Sequence, residues 1–124
     1  MSETASHNHH AFDYIEIPVT DLEVGEKFYA FAFGWHFNDY GPDYKGIRRM
    51  GEPGEMGGLC RAESLQAKGG RILVILYSKV LEDTAARVTA AGGKITMPIF
   101  DFPGGRRFHF EDPSGNELGV WSEK

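Results

Sequence analysis

The chain holds one cysteine, no cluster of lysine and arginine, and no apolar run longer than the six residues from Ile72 to Tyr77. A lone Cys60 rules out an intrachain disulfide framework and makes a reducing, cytoplasmic setting the expectation. Nothing marks its thiol as activated, so it reads as a small hydrophobe. A net charge of −5 without a basic face excludes nucleic acid as a partner. Six apolar residues are far too few for a membrane span or the core of a signal peptide. What is present is ordinary for a globular domain: 124 residues, 41% hydrophobic and 13% aromatic. That is enough chain to bury roughly two-thirds of its unfolded surface.

The most telling positive feature is self-similarity. Gly34 and Gly92 lie 58 residues apart, as do Gly46 and Gly104, Arg48-Arg49 and Arg106-Arg107, Gly57 and Gly115, and Ser64 and Ser122. Matches that fall on glycine fall where the backbone constrains sequence most. Two units are too few for a solenoid, so the expectation is a paired duplicate enclosing a cleft.

Residues 1–11 are polar and read as a disordered tail, in which His7, His9 and His10 have no structural role. Residues 14–19 alternate as a strand, and Thr20-Asp21-Leu22-Glu23 matches a capping box opening a helix that stops at Gly34. Strands are expected near 35–39, 46–51 and 58–63. After the connector 66–70, a strand at 71–77 leads to Ser78 as helix cap, a helix ending at Gly92-Gly93, and strands near 94–97, 106–110 and 117–121. The expected fold is α+β: one domain over 12–122 built of two βαβββ modules, 12–64 and 71–122. The helices cover one sheet face and leave the other to curl into a cup.

The runs Ile17-Pro18-Val19-Thr20-Asp21-Leu22-Glu23, Phe28-Tyr29 and Phe33-Gly34-Trp35 resemble the first module of the vicinal oxygen chelate superfamily, which includes glyoxalase I, bleomycin-resistance proteins and ring-cleaving dioxygenases. Ala91-Gly92-Gly93-Lys94 and Phe110-Glu111-Asp112-Pro113-Ser114-Gly115-Asn116 resemble its second module, so the likeness spans about 12–122. The resemblance implies four repeat-related metal-ligand slots. Counted along this chain, and carried between halves by the offset of 58, they hold Tyr14, Arg61, Ile72 and Gly119. Isoleucine and glycine offer no donor and a guanidinium repels a cation, so no metal centre and no cofactor are expected. The ending Gly119-Val120-Trp121 is similar to glyoxalase-related members that keep the fold without the full ligand set. The family also implies a homodimer.

Taken by period two, the cup is expected to be lined by Tyr14, Glu16, Leu59, Arg61, Glu63, Ile72, Val74, Leu76, Glu117 and Trp121. Tyr14, Glu16, Arg61 and Trp121 are the candidate ligand contacts; against this, Glu16 and Arg61 would simply neutralise each other across strands, and Trp121 would pack at a dimer seam. Glu16, His109 and Glu117 are the candidate catalytic residues, with His109 facing the cup if Phe108 and Phe110 face the helix. His36 reads as a solvated strand residue. The arginine pairs read as surface ion pairs or, less simply, an anion clamp. Residues 100–105 read as a loop that closes over a ligand or a partner subunit. Three functions follow: a metal-free protein binding a small organic molecule, an enzyme of lactoylglutathione-lyase or dioxygenase type with an unconventional metal site, or a dimeric regulatory or scaffold module.

Overall fold

The computed structural model describes residues 7–65 and 71–124. The connector 66–70 and residues 1–6 of the expected tail lie outside the described residues. The chain divides into two units, one of residues 14–72 and the other of residues 7–13 with 73–124.

The first unit carries β1 (Phe12–Val19) from Tyr14 onward, α1 (Leu22–Phe33), β2 (Phe37–Asp39), β3 (Tyr44–Arg48) and β4 (Glu55–Arg61). Its strands run in the order β2-β3-β4-β1, with β1 parallel to β4 and the other neighbours antiparallel. Helix α1 packs on one sheet face through Leu22, which meets Ile47 and Leu59 with Ile17, Val19 and Trp35 around them. Its cap is Asp21 rather than Thr20: the Asp21 carboxylate accepts from the Val24 N–H at 3.0 Å. A carboxylate one residue later satisfies a free backbone donor one residue further along and adds charge at the positive helix end. Gly34, at φ 73°, ends the helix as expected.

The second unit carries β5 (Leu73–Tyr77), α2 (Leu81–Ala90), β6 (Lys94–Phe102), β7 (Gly105–Glu111) and β8 (Glu117–Ser122), with the same topology in the order β6-β7-β8-β5. Leu81, Phe108 and Val120 form its core. Ser78 is not the helix cap; it is buried, accepts from the Val80 N–H and bonds Thr84 at 2.7 Å. The segment 100–105 is not a loop. Strand β6 continues to Phe102, pairs Phe102 with Gly105, and turns on Pro103-Gly104 alone. Residues 7–11, expected to lack structure, hold backbone bonds to β5: His10 N–H to Tyr77 O at 2.7 Å and Tyr77 N–H to Ala11 O at 3.2 Å.

The α+β class and the two βαβββ modules are as expected. The constant offset is not. Leu22 and Leu81, which open the two helices, lie 59 apart; Gly34 and Gly92 lie 58 apart; Ile47 and Phe108, and Leu59 and Val120, lie 61 apart. Gly46 is in β3 whereas Gly104 is in a turn, and Gly57 is in β4 whereas Gly115 is in a turn. Residues added around the long strand β6 shift the correspondence.

Candidate functional site

In the first unit, packing of Ile17 and Val19 on the α1 side sends Tyr14 and Glu16 to the opposite sheet face. In β3, Ile47 joins the core and Lys45 reaches Glu26 of α1 at 3.5 Å, so Tyr44 and Gly46 share the face of Tyr14. Strand β4 changes sides along its length. Ile47 pairs with Gly57 but Arg48 pairs with Glu55, which leaves Met56 as an extra, bulged residue packed against the core. A bulge reverses the alternation beyond it, and Glu55 turns to the face of Tyr14 and Glu16.

A polar network results. Tyr14, Asn38 and Tyr40 all donate to the Glu55 carboxylate, Tyr14 at 3.2 Å and Asn38 at 2.7 Å. Tyr44 donates to Glu16 at 2.9 Å, and the Tyr14 and Tyr44 hydroxyl oxygens lie 3.0 Å apart. Gly46 and Gly58, paired across β3 and β4, make room: a Cβ on Gly46 would strike the Glu55 carboxylate, and one on Gly58 the Tyr44 phenol. Burial, reinforced by the Glu16 and Glu55 charges, pushes the Tyr14 and Tyr44 hydroxyls far above the usual phenol range. The hydrogen bond to Glu55, with some burial, raises Tyr40. All three stay protonated across the physiological range. Tyr14 and Tyr44 bring two hydroxyl protons to three contacts, with Glu55, with Glu16 and with each other. When both protons point at carboxylates, two phenol oxygens face each other with no hydrogen between them.

In the second unit Phe108 and Val120 face α2, so Arg107, His109, Glu117, Gly119 and Trp121 occupy the opposite face. Arg107 donates through Nε at 3.2 Å and Nη2 at 3.0 Å to His109 Nε2, which must therefore be the accepting nitrogen. That puts the ring proton on Nδ1, 3.3 Å from Glu117, which also accepts from Thr96 at 3.1 Å. With Nε2 occupied and Nδ1 protonated, His109 has no lone pair directed at a substrate. Arg107 lies over Phe100 and Phe102, 5.8 and 5.7 Å from their ring centres. Trp121 donates its indole N–H to Asp13 at 2.8 Å, and Tyr77 donates to Glu123 at 2.7 Å, its hydroxyl raised to about 12 by burial and that carboxylate.

Of the candidate contacts, Tyr14 and Glu16 meet in one network and Arg61 does not join them. Leu59 is fully buried toward α1, so Arg61, two residues on, projects from that side and pairs with Asp43 at 3.0 Å. His109 and Glu117 come together; Trp121 is held by Asp13 in the second unit. Leu59 and Leu76 do not line the polar face, because each packs in a helix-side core. Ile72 precedes β5 and is exposed, as are Glu63 and His36. Arg106 clasps Glu82, as expected of a surface pair. Sequence reasoning missed Glu55, Tyr44 and Tyr40, which fell in expected turns, and Asn38, which lay in the expected strand 35–39. The adjacent Gly57-Gly58 in a strand was the available signal, since such glycines mark bulges and close approach.

The structural correspondences reassign the metal-ligand slots. Tyr14 matches Leu73 at 59 residues and Gly119 matches Gly58 at 61, so the slots hold Tyr14, Gly58, Leu73 and Gly119. Two glycines and a leucine supply no donor, and the Tyr14 hydroxyl is already engaged. Among the described residues no three His, Cys, Asp or Glu side chains are grouped to hold an ion. The side chains do not fit the metal centre that the fold family implies.

A sequence profile of the Glyoxalase/Bleomycin resistance protein/Dioxygenase superfamily matches residues 11–120. The chain belongs to this superfamily. It is 28% identical over 115 residues to CFP32 of Mycobacterium tuberculosis and of Mycobacterium bovis, provisionally named a glyoxylase. The match takes in 88% of this chain and 44% of CFP32, so the chain spans less than half the length of that relative. In fold it is similar to a Mn(II)-bound glyoxalase from Novosphingobium aromaticivorans, with TM-score 0.73 and 24% identity over 93% of this chain and 39% of that one. It is also similar to a superfamily member from Vibrio splendidus, with TM-score 0.66 and 15% identity over 88% and 96% of the two chains. Among the described residues no helix is long and apolar enough to cross a membrane.

Proposed function

We propose that this superfamily member binds a small organic molecule without a metal ion, and that the first unit's network receives a hydrogen-bond-donating or cationic group of that molecule. The observation that carries the reading is the proton shortage at Tyr14 and Tyr44. The Tyr14 and Tyr44 hydroxyls bring two hydrogens to three contacts, with a Glu55 oxygen, with a Glu16 oxygen and with each other, while Asn38 and Tyr40 already fill the second Glu55 oxygen. An ammonium, amide N–H or hydroxyl of a ligand would supply one, and the −5 charge of the chain works in the same direction. The three phenol rings add apolar walls suited to a partly apolar molecule. The chain acts as a homodimer in this reading, as the family resemblance implies.

A thermal-shift screen of amines, polyols and carboxylates tests the reading. At roughly a hundredfold excess over Kd a ligand stabilises by about 2.7 kcal/mol, a readily measured rise in Tm. Amines or polyols are expected to give the shift; Glu55→Gln and Tyr14→Phe are expected to remove most of it, while Arg61→Ala keeps it. Loss of the shift in Arg61→Ala with retention in Glu55→Gln would place the contact elsewhere. Metal analysis of the purified protein separates this reading from a metalloenzyme: a stoichiometric transition ion would overturn it.

A further inference from the structure

The segment before β1 is polar and carries three histidines, His7, His9 and His10, in four residues. Each has a defined partner in the second unit. His9 uses Nδ1 to accept the Lys79 N–H at 2.9 Å, just before α2. His10 Nε2 meets the Thr84 hydroxyl of α2 at 2.9 Å, and Thr84 is tied in turn to buried Ser78. The His9 and His10 rings stack with centres 3.7 Å apart. His7 bonds Asp13 at 2.8 Å, stacks on Tyr77 at 4.9 Å and meets the edge of Trp121 at 5.1 Å.

We propose that residues 7–11 form an acid-released latch on the start of α2, held at neutral pH by uncharged His9 and His10 and let go as they take up protons, with the His7–Asp13 contact opposing release because it gains charge in acid. Two facts of geometry carry this. An imidazolium has hydrogens on both nitrogens, so a charged His9 cannot accept from Lys79 N–H. Two stacked rings at this separation cannot both be positive without strong repulsion. Other groups facing the pair are the Arg87 and Asp83 side chains on the wall of the groove that both histidines line. Arg87 opposes a charge and Asp83 favours one. Burial first, then the charges of His9 and Arg87, holds His10 below the ordinary imidazole range. A lowered folded value means that the latch is at full strength above the unfolded value of about 6.5, and is lost as pH falls through the folded one. The inference does not depend on the ligand reading.

Hydrogen exchange of the full chain, corrected for intrinsic rates and compared between about pH 7.5 and about pH 5, reads the latch across the imidazole range. Protection of residues 7–11 is expected to fall roughly tenfold, the effect of about one lost hydrogen bond, while residues 81–90 and 117–122 keep theirs. His9→Asn with His10→Gln retains the accepting and bridging atoms without a titrating ring, and is expected to hold protection at the acid pH. If that double variant is unprotected even at neutral pH, the wild-type chain decides. A midpoint of release that coincides with the nuclear magnetic resonance titration of the two rings supports the latch, and one that does not overturns it. Unchanged protection of 7–11 in acid overturns it outright.

Discussion

Gly57→Ala is expected to lower the melting temperature by about 10 °C or more and to erase any ligand-induced shift. Gly57 sits in β4 opposite Ile15 of β1, and a Cβ built there lands on the Ile15 carbonyl oxygen, far inside contact distance. The obstacle is backbone, so no side chain can rotate away and the strands must separate. Overpacking of this kind costs about 1–3 kcal/mol and more where main chain is pushed, and one kcal/mol moves Tm by several degrees in a chain of this size. The functional consequence follows from the same clash. Gly57 lies directly after the bulged Met56, and the β1–β4 ladder is what brings Tyr14 against Glu55. Thermal melts with and without ligand measure both effects. A drop of under about 2 °C, less than that loss of packing allows, would mean that the strands do not pair in this register.

Phe108→Ala is expected to be comparably damaging for a different reason. Phe108 is fully buried between Leu81 and Val120, with Leu76, Val88, Ile95, Ile99 and Phe110 around it. Truncation removes a large apolar surface and leaves a cavity that a sheet-and-helix sandwich cannot collapse, at a cost of about 3–5 kcal/mol. That corresponds to a fall in Tm of roughly 10–20 °C. Phe31→Ala is the matched control, because Phe31 is 95% exposed and surface truncations stay within about 0.5 kcal/mol. Equal losses in the two variants would contradict the assigned core. Because Phe108 and His109 are neighbours on opposite faces of β7, Phe108→Ala should also loosen the His109–Glu117 contact, visible as a change in the His109 ring titration.

The two helices and the order of strands were legible because they rest on local rules, apolar periodicity and a glycine at each helix end, whereas the expected caps Thr20 and Ser78 gave way to Asp21 and Val80. The prediction that His109 stands opposite Phe108 and Phe110 held because a regular strand alternates, and β7 is regular. Errors arose where a single residue changes the count. An offset of 58 in place of 59 carried Tyr14 to Ile72 instead of Leu73, and so put Leu76 on the wrong face of β5. A one-residue slip moves every side chain to the other side. A larger difference, 58 in place of 61, set Arg61 beside Tyr14, when the residue of β4 matching Gly119 is Gly58.

Local sequence thus determined the α+β class, the two βαβββ modules and membership in a superfamily, since turn glycines, caps and alternating patterns act over a few neighbouring residues. Only the tertiary structure decided which side chains meet. Glu55 reaches Tyr14 through a bulge at Met56, and Trp121 reaches Asp13 across 108 positions of chain. Bulges and long-range partners are settled by packing against elements distant in sequence, where no local pattern records them.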